Sequence, residues 1–403
     1  MVKHKILFVN GHLNVGGVEK SLVDLLRWLD YSQYDVDLLL LEEKGDYLEQ
    51  IPQNVNIIYK DIRSAYGPFF NTFFENLIRG RFNIIYYRFI LLISSLLGKE
   101  FLRYWDFFFK LSHNYDSAIA YRPGICADVV AYAVRSKKKI CWWHHGECLF
   151  SKAQIRATNR EWKSFDNIVT VSRGCKNMIE SIFDYPSAQI VVIPNLVDIE
   201  RISLLAGEES PYDLSSKATR IVTVGRLSPE KHIEDIPLIA SELIKRGINQ
   251  FKWYIVGEGD MRGLIEKEIR DKNVVDYVCL LGSKSNPYPY IKFADMMVHT
   301  SHVESQGLAI LEAMALKTPC VAVASMGPKE YLNSELGILV GRDVNSVRDG
   351  VIRLLLQQYD ATIVSKAYEV VKKYYSPDVI VRLLDGLVID KQNAENNSEK
   401  NLN

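Results

Sequence analysis

Glu304 and Glu312 stand on either side of Gly307 in the second half of the chain. The residues after Gly307 favour a helix, so we predict a helix start between Ser305 and Leu308. The free N–H groups and positive dipole end of a helix start favour a diphosphate, and Gly307 would let the backbone approach it closely. Glu312 could then reach the hydroxyls of a ribose. Glu304 lies in the preceding loop and could reach a sugar. On spacing alone, an ordinary acidic helix start with one solvated glutamate is an equal alternative.

Two cations follow an apolar run that ends at Gly225. Arg226 comes directly after the run, and Lys231 follows within the same short loop. Arginine suits bidentate phosphate contacts, and lysine acts as a compact point charge. Both could neutralise the charge on a departing nucleoside diphosphate. The alternative for Lys231 is an ordinary surface lysine, whereas Arg226 follows a buried strand too closely for that explanation.

A pair of histidines, His144 and His145, ends the apolar run 139–143. Functional groups of doubly wound folds lie at the ends of such strands, which favours His144 as a site residue. Adjacent histidines could also bind a metal, but no third ligand stands at a suitable spacing, so we predict no metal site. The alternative is an ordinary loop histidine.

Gly16 and Gly17 follow the first apolar run of the chain. Their spacing does not fit the G-x-G-x-x-G pattern, so a nicotinamide dinucleotide site is not predicted. Two glycines before a helix still allow an anion to approach the backbone. Alone, this signal is weak.

Short apolar runs alternate with amphipathic stretches along the whole chain. This alternation indicates βαβ units and mainly parallel sheets. We therefore predict an α/β fold with two doubly wound halves, whose binding edges face each other across one cleft. The strands are predicted at residues 5–10, 36–41, 117–121, 139–143, 167–171, 220–225, 252–257, 277–282, 296–300, 319–324 and 337–340.

The same pattern divides the chain into four parts. We predict a first domain over residues 1–198, a polar linker over 199–218 and a second domain over 219–388, whose last helix is placed to pack back on the first domain. Residues 389–403 lack the apolar content to fold and are predicted to be disordered.

The composition excludes several classes of protein. The 403 residues carry 49 basic and 49 acidic side chains, and the balance argues against nucleic-acid binding. Six cysteines without a CxxC pair are expected to be reduced. The start of the chain does not resemble a leader peptide, so a cytoplasmic location is expected. The apolar segment 82–98 is too short to span a bilayer and is expected to form a buried or interfacial helix.

Taken together, these motifs resemble the retaining glycosyltransferases of family 4, which have the GT-B fold of two Rossmann-like domains facing across a cleft. The resemblance runs from Lys5 to about Leu387 and is most specific in the second half. The blocks that occur in the family's order are residues 221–231, 255–260, 286–290, 294–295, 304–312 and 327–330.

The resemblance implies roles for the singled-out residues. Arg226 and Lys231 correspond to the pair that contacts the donor diphosphate, and Glu312 to the carboxylate on the donor ribose. Glu304 and His144 correspond to residues that face the transferred sugar. The remaining positions correspond to groups close to the phosphates: Gly16, Gly17, Ser305, Gly307 and Leu308.

Two positions depart from the family pattern. Ser305-Gln306 stands where glycine and a bulky residue are common, which affects the donor. His232 stands where glycine is frequent, which affects the local turn.

The resemblance implies transfer of a hexose or N-acetylhexosamine from a nucleotide diphosphate sugar, without a cofactor or metal. A UDP-sugar is the favoured donor. A GT-B nucleotide-sugar epimerase and a catalytically silent partner protein are the alternatives, but silent homologues tend to lose the cations or carboxylates that stand here.

The acceptor is expected to be a saccharide or a polyprenyl-diphosphate-linked saccharide in cell-surface polysaccharide synthesis. Residues 63–110 mix aromatic and basic side chains, a composition suited to the inner face of an anionic membrane. The alternative is that the aromatic residues are core and the basic residues a solvated face. The aromatic members are Phe69, Phe70, Phe73, Phe74, Tyr86, Tyr87, Trp105, Phe107, Phe108 and Phe109, and the basic members are Arg63, Arg79, Arg81, Arg88, Arg103 and Lys110.

Overall fold

Two parallel β-sheets with helices on both faces make up the protein, in a computed structural model that describes residues 3–62, 69–105, 111, 114–147, 149–207, 209–356 and 361–389. The first sheet has the strand order β3-β2-β1-β4-β5-β6-β7. Its strands are β1 (His4–Asn10), β2 (Tyr34–Leu40), β3 (Val55–Tyr59), β4 (Tyr115–Ala120), β5 (Ser136–Trp143), β6 (Asn167–Thr170) and β7 (Ile190–Val192).

The second sheet repeats this arrangement with six strands in the order β10-β9-β8-β11-β12-β13. All of its pairings are parallel, as in the first sheet. The predicted α/β architecture of two doubly wound domains is therefore confirmed. The strands are β8 (Thr219–Val224), β9 (Phe251–Val256), β10 (Val278–Gly282), β11 (Met296–His299), β12 (Cys320–Val323) and β13 (Ile338–Val340).

Central strands are apolar because both of their faces are covered. In β1, Leu7 and Val9 pack into one core cluster while Ile6 and Phe8 pack into the cluster on the opposite face. All four side chains are fully buried. A continuous apolar run is the expected sequence of a parallel strand covered on both faces.

Helices connect the strands. In the first domain they are α1 (Gly17–Trp28), α2 (Phe69–Ile78), α3 (Phe82–Leu97), α4 (Ile125–Asp128), α5 (Lys152–Trp162) and α6 (Arg173–Ile182). The following helices are α7 (Ile199–Leu205), α8 (Ile236–Lys245), α9 (Arg262–Asp271), α10 (Tyr288–Lys292), α11 (Leu308–Ala315), α12 (Pro328–Tyr331), α13 (Val344–Leu356), α14 (Ala361–Tyr374) and α15 (Pro377–Val388).

The segment predicted as a linker is not a free connection. Asp198 caps α7 by accepting a hydrogen bond from Arg201 N at 3.0 Å. Ile202 and Tyr212 belong to the core cluster of the second domain, and Tyr212 donates to the carbonyl of Tyr290. Ile202 and Tyr212 therefore anchor this segment in the core of the second domain.

The last helix crosses back to the first domain. Ile380 and Leu384 of α15 are buried in the same core cluster as β1 and β2. Polar contacts hold the helix in place: Tyr34 donates to Asp385 at 2.5 Å, and Lys138 Nζ donates to the carbonyl of Leu387 at 2.6 Å. Of the tail predicted to be disordered, residues 390–403 lie outside the described residues.

The segment around α2 and α3 divides into buried and exposed side chains. Tyr87 and Trp105 are buried in the core of the first domain, as the core alternative expects. Phe74, Phe82 and Phe89 are exposed. Residues 63–68 and 106–110, which include other members of the predicted patch, lie outside the described part of the chain. No helix within the described ranges has the length and apolar character needed to cross a bilayer.

Candidate active site

The carboxyl ends of the two sheets meet at one cleft. In the second sheet, β8 and β11 lie side by side although the chain between them runs through two other strands, which makes their ends the switch point of that sheet. Arg226 follows β8, and the loop to Glu304 follows β11. In the first sheet, the loop with Gly16 and Gly17 follows β1. Strand order thus explains why these distant residues meet.

The glycine loop of the first domain touches the second domain. A β-carbon built on Gly17 would lie 3.9 Å from Leu308 Cδ1, and one built on Gly16 would lie 3.9 Å from Arg226 Nη2. Four of the sequence-predicted residues are therefore neighbours across the cleft. A side chain at either glycine would project into this narrow gap.

The two predicted cations lie on one loop but differ in their contacts. Arg226 is exposed, and its guanidinium makes no hydrogen bond or ion pair within the described residues. Lys231 ends the helical turn Pro229–Lys231, and its ammonium donates to Glu304 Oε1. Arg226 can therefore bind an anion directly, whereas a phosphate at Lys231 would have to share the lysine with Glu304.

Glu304 is held between two nitrogen groups. Besides Lys231, His299 Nε2 lies 3.1 Å from Glu304 Oε1. Burial would raise the pKa of Glu304, but Lys231 and His299 outweigh it and hold this pKa well below its ordinary value. Glu304 is therefore a carboxylate at neutral pH and cannot supply a proton. His299 was missed by sequence reasoning, because the apolar strand β11 around it gave no functional signal.

The helix predicted to begin near Gly307 is α11, which begins at Leu308. Gly307 caps it with a left-handed backbone (φ 81°, ψ 58°). Tyr331 fixes this turn by donating to the carbonyl of Gln306 at 2.9 Å. The N–H groups of Leu308 and Ala309 have no acceptor within the helix and are available to an anion.

Substituting Gly307 by alanine is expected to lower the free energy of unfolding by about 1–3 kcal/mol, because a β-carbon is strained in this backbone region. The new carbon would also lie 3.0 Å from the Tyr331 hydroxyl and 3.3 Å from Pro328 Cγ. Urea unfolding measures the effect. The matched control is Gly263→Ala in α9, where no atom lies within 4 Å of the added carbon. Equal stability of the two variants would contradict this expectation.

Ser305 contributes its backbone to the contact between domains. A β-carbon on Gly146 would lie 3.3 Å from Ser305 N, and Cys175 Sγ lies 3.8 Å from the Ser305 carbonyl oxygen. Its hydroxyl makes no hydrogen bond within the described part of the chain. The structure thus places Ser305 at the cleft without assigning a role to its side chain.

Glu312, the predicted ribose ligand, is buried and bound by groups from both domains. Lys20 Nζ of α1 lies 3.1 Å from Glu312 Oε1, and the Tyr288 hydroxyl donates to the same oxygen at 3.3 Å. Lys20 also pairs with Asp24 at 2.6 Å. Burial would lower the pKa of Lys20, but Tyr288, Asp24 and Glu312 raise it well above its ordinary value.

Lys20 and Tyr288 were not predicted as site residues. Lys20 lies one helical turn from Asp24, a spacing typical of a surface ion pair, and nothing in the sequence connects it to Glu312. Tyr288 falls inside a motif of the resemblance, but its partner could not be inferred. The Lys20 contact depends on how the two domains close on each other, whereas the Tyr288 contact lies within the second domain.

His144 lies at the end of β5 among aromatic rings. It stacks on Trp142 at 5.9 Å between ring centroids and 7° between planes, and it contacts Tyr121 at 4.7 Å. Its Nε2 is buried and has no hydrogen-bond partner among the described residues. Burial, with smaller effects of His145 and Arg122, lowers the pKa of His144 well below its ordinary value. The imidazole is therefore neutral and free to bond a hydroxyl group.

This buried neutral histidine should make stability depend on pH. Below a pH of about 6.5, the unfolded chain binds a proton at His144 that the folded chain does not bind. The free energy of unfolding is therefore highest above that pH, and it decreases as the pH falls. We expect His144→Gln to remove this loss. The difference in urea midpoint between wild type and variant, followed from neutral pH to about pH 5.5, measures it. Parallel pH curves for the two proteins would refute the assignment.

Further contacts hold the two domains together around the site. The side chain of Gln306 accepts from Asn195 N at 2.8 Å and donates to the Asn195 carbonyl at 3.0 Å. Glu330 accepts hydrogen bonds from the first backbone N–H groups of α6, and Arg342 pairs with Glu147 at 2.8 Å. The cleft is therefore bounded by polar contacts on several sides.

Two doubly wound domains that face each other across a cleft form the GT-B architecture. Residues 15–201 match the family model described as Glycosyltransferase Family 4, and residues 208–374 match that described as Glycosyl transferases group 1. The two matches together span most of the chain. The protein therefore belongs to the family 4 type of glycosyltransferases with the GT-B fold.

Three similar proteins illustrate the relationship. The poly(ribitol-phosphate) alpha-N-acetylglucosaminyltransferase of Staphylococcus aureus is 29% identical over 217 residues, covering 52% of this chain and 44% of that protein. A second relative, from Campylobacter jejuni, is the N-acetylgalactosamine-N,N'-diacetylbacillosaminyl-diphospho-undecaprenol 4-alpha-N-acetylgalactosaminyltransferase. It is 27% identical over 195 residues, which cover 47% of this chain and 51% of that protein. A structure of a S. aureus TarM mutant with fondaparinux, alpha-GlcNAc-glycerol and UDP superposes with a TM-score of 0.72 at 17% identity, covering 96% of this chain and 100% of that one.

The sequence matches extend over only part of these relatives. Alignments cover 58%, 44% and 57% of three curated relatives, so the chain spans about half of their length. The structural likeness, at 17% identity, supports the fold.

Proposed function

We propose that the protein is a retaining glycosyltransferase that moves a hexose or N-acetylhexosamine from a UDP-sugar to a saccharide or lipid-linked saccharide. One observation carries the proposal. Arg226 and Lys231 lie on one loop, beside the ionised Glu304 and opposite the glycine loop of the other domain. This arrangement supports a role of the cations towards a diphosphate and of the neighbouring carboxylate towards a sugar.

The cations and the helix start would stabilise the leaving diphosphate. Arg226 is free to take a phosphate in a bidentate contact, and the N–H groups of Leu308 and Ala309 can bind another phosphate oxygen. Fixed charges of this kind act where negative charge develops in the transition state. Because cations already supply this stabilisation, we expect no requirement for a metal ion.

The carboxylates would hold the two ends of the donor. Glu312 would accept hydrogen bonds from ribose hydroxyls, after exchanging part of its contact with Lys20 and Tyr288. Glu304 and His144 would bind the transferred sugar. Since Glu304 stays ionised, it stabilises positive charge on the sugar and does not act as an acid. Front-face attack through an ion-pair-like transition state is consistent with these roles.

A donor panel tests the function. Purified full-length protein is incubated with UDP- and GDP-linked hexoses and N-acetylhexosamines, with thermal shift and nucleotide release as readouts, in buffer with and without excess EDTA. We expect stabilisation by UDP-N-acetylhexosamines in particular, since two relatives are named for transfer of such sugars. Turnover should persist in EDTA. Release of an epimerised free sugar in the absence of acceptor would support the epimerase instead.

The acceptor would be presented at the cytoplasmic face of a membrane. One relative is named for an undecaprenol-linked acceptor, which supports a polyprenyl-diphosphate-linked saccharide. The outer face of α3 supports membrane contact: Phe82, Phe89 and Leu96 recur at about two-turn spacing, and all three are exposed. The same helix buries Ile84, Tyr87 and Ile90 on its inner face. A helix that is apolar on both faces is typical of an interface with lipid or protein.

Flotation with liposomes of anionic lipid tests this contact. We expect the wild type to float and the variant Phe82→Ser/Phe89→Ser/Leu96→Ser to remain in the dense fraction, because apolar area drives interfacial binding. The control is Leu214→Ser/Leu264→Ser, which removes exposed leucines from the second domain. Equal flotation of both variants would remove α3 as the contact.

A further inference from the structure

Two histidines and an aspartate lie close together next to Lys231, and none of the three is assigned to the donor. One ligand atom from each of His232, Asp235 and His302 lies within 4.8 Å of the others. His232 and Asp235 follow β8, whereas His302 belongs to the loop after β11. The sequence gives no indication of this set, because its members come from two separate segments.

The backbone of His232 is held in an unusual conformation. Its φ of 49° and ψ of 36° lie in the left-handed region. A non-glycine residue in this region costs roughly 1 kcal/mol or more. His232 also stands where the family often has glycine. The strained conformation places its ring face to face with that of His302, at 3.5 Å between centroids and 18° between planes.

The surrounding groups suit a cation. His232 Nδ1 lies 3.5 Å from Asp235 Oδ2 and 3.9 Å from Glu234 Oε1. The other carboxylate oxygen of Glu234 is buried and makes no hydrogen bond within the described ranges.

We propose that His232, Asp235 and His302 form a binding site for a divalent transition metal ion of the zinc type. Two imidazoles and a carboxylate are ligands that Zn²⁺ and Co²⁺ accept readily, whereas Mg²⁺ prefers oxygen ligands alone. Three protein ligands leave a coordination position for water. Binding of one ion by both imidazoles would require the stacked rings of His232 and His302 to turn apart, so that one nitrogen of each points at the ion.

A metal ion here would tie together the two loops that carry Lys231 and Glu304. These loops already share hydrogen bonds: Thr300 Oγ1 donates to the Lys231 carbonyl at 2.7 Å, and His302 N donates to the Glu230 carbonyl at 3.1 Å. A ligand from each loop on one ion would restrain them further. The ion's expected role is therefore to stabilise the loops and not to contact the donor.

Metal titration of the full-length protein tests the site. Protein without a polyhistidine tag is stripped of metal and titrated with Zn²⁺ by calorimetry and thermal shift, with Mg²⁺ in parallel. We expect a single Zn²⁺ site and a raised melting temperature, with no shift from Mg²⁺. The variants His302→Gln and Asp235→Asn should each weaken Zn²⁺ binding at least about tenfold, since each removes a ligand. The control is His4→Gln, which changes a histidine of β1 in the other domain.

Co²⁺ substitution identifies the ligands directly. Visible d–d bands without a strong thiolate-to-metal band are expected, and they should disappear in His302→Gln. Absence of Zn²⁺ binding by the wild type, unchanged binding in both variants, or a thiolate band would each overturn the proposal. A folded His302→Gln protein is verified by its urea midpoint, and Asp235→Asn serves as the second variant. The donor panel with EDTA is a separate measurement, so either proposal can fail alone.

Discussion

Replacing Lys231 or Arg226 by alanine is expected to slow sugar transfer by about a hundred- to a thousandfold, the usual effect of removing one electrostatic contact to a transition state. Arg226 has no partner within the described chain, so its loss should leave the fold unchanged. Loss of Lys231 leaves Glu304 with His299 as its remaining partner. The measurement is the turnover number at saturating donor, together with the melting temperature.

A matched lysine separates this effect from a general loss of charge. Lys245 lies on α8 of the same domain and pairs at the surface with Glu242 at 2.8 Å. Lys245→Ala should transfer sugar at the wild-type rate. Lys231→Arg keeps the charge and should recover part of the activity. Near-normal transfer by Lys231→Ala or Arg226→Ala would remove the diphosphate assignment.

The two glutamates should respond differently to neutralisation. We expect Glu304→Gln to lower the turnover number by about a hundredfold with little effect on binding of UDP, because the role proposed for Glu304 is to stabilise charge that develops on the sugar. We expect Glu312→Gln to weaken UDP binding by about 10- to 100-fold, as for loss of a hydrogen bond to a charged group. Calorimetry with UDP and steady-state kinetics measure the two effects.

This contrast has its own control. Neutralising Glu312 leaves Lys20 paired with Asp24 at 2.6 Å, so the buried lysine keeps a counter-charge and the fold should persist. Glu335→Gln, an exposed position of the same domain, should change neither quantity. If Glu304→Gln weakened UDP binding while Glu312→Gln lowered only the turnover number, the assigned ends of the donor would have to be exchanged.

Much of the fold could be predicted because buried parallel strands have a distinctive sequence. The run at β1 is apolar without interruption, and its predicted start differs from the observed one by a single residue. The strands that were missed, β3 and β7, lie at the two edges of the first sheet. Edge strands are covered less completely, and several side chains of β3 are only partly buried or exposed. Their apolar signal is correspondingly weaker.

The site could be predicted in its parts but not in its pairings. Arg226, Lys231 and Glu304 were identified by strand ends, charge and resemblance, and the structure brings them together. The pairing of Glu304 with His299, and of Glu312 with Lys20, depends on the closure of loops and domains. Local sequence contains no information on that closure. The His232–His302 contact escaped prediction for the same reason.

The crossing of α15 to the first domain has a consequence for biosynthesis. Val36 of β2 and Ile140 of β5 share a core cluster with Leu384 and Leu387 of the last described helix. During translation the amino-terminal half therefore emerges with part of its apolar surface uncovered. That surface is sealed only after the carboxyl-terminal segment has left the ribosome. We expect a product truncated before residue 377 to aggregate, even though it contains every residue assigned to the donor.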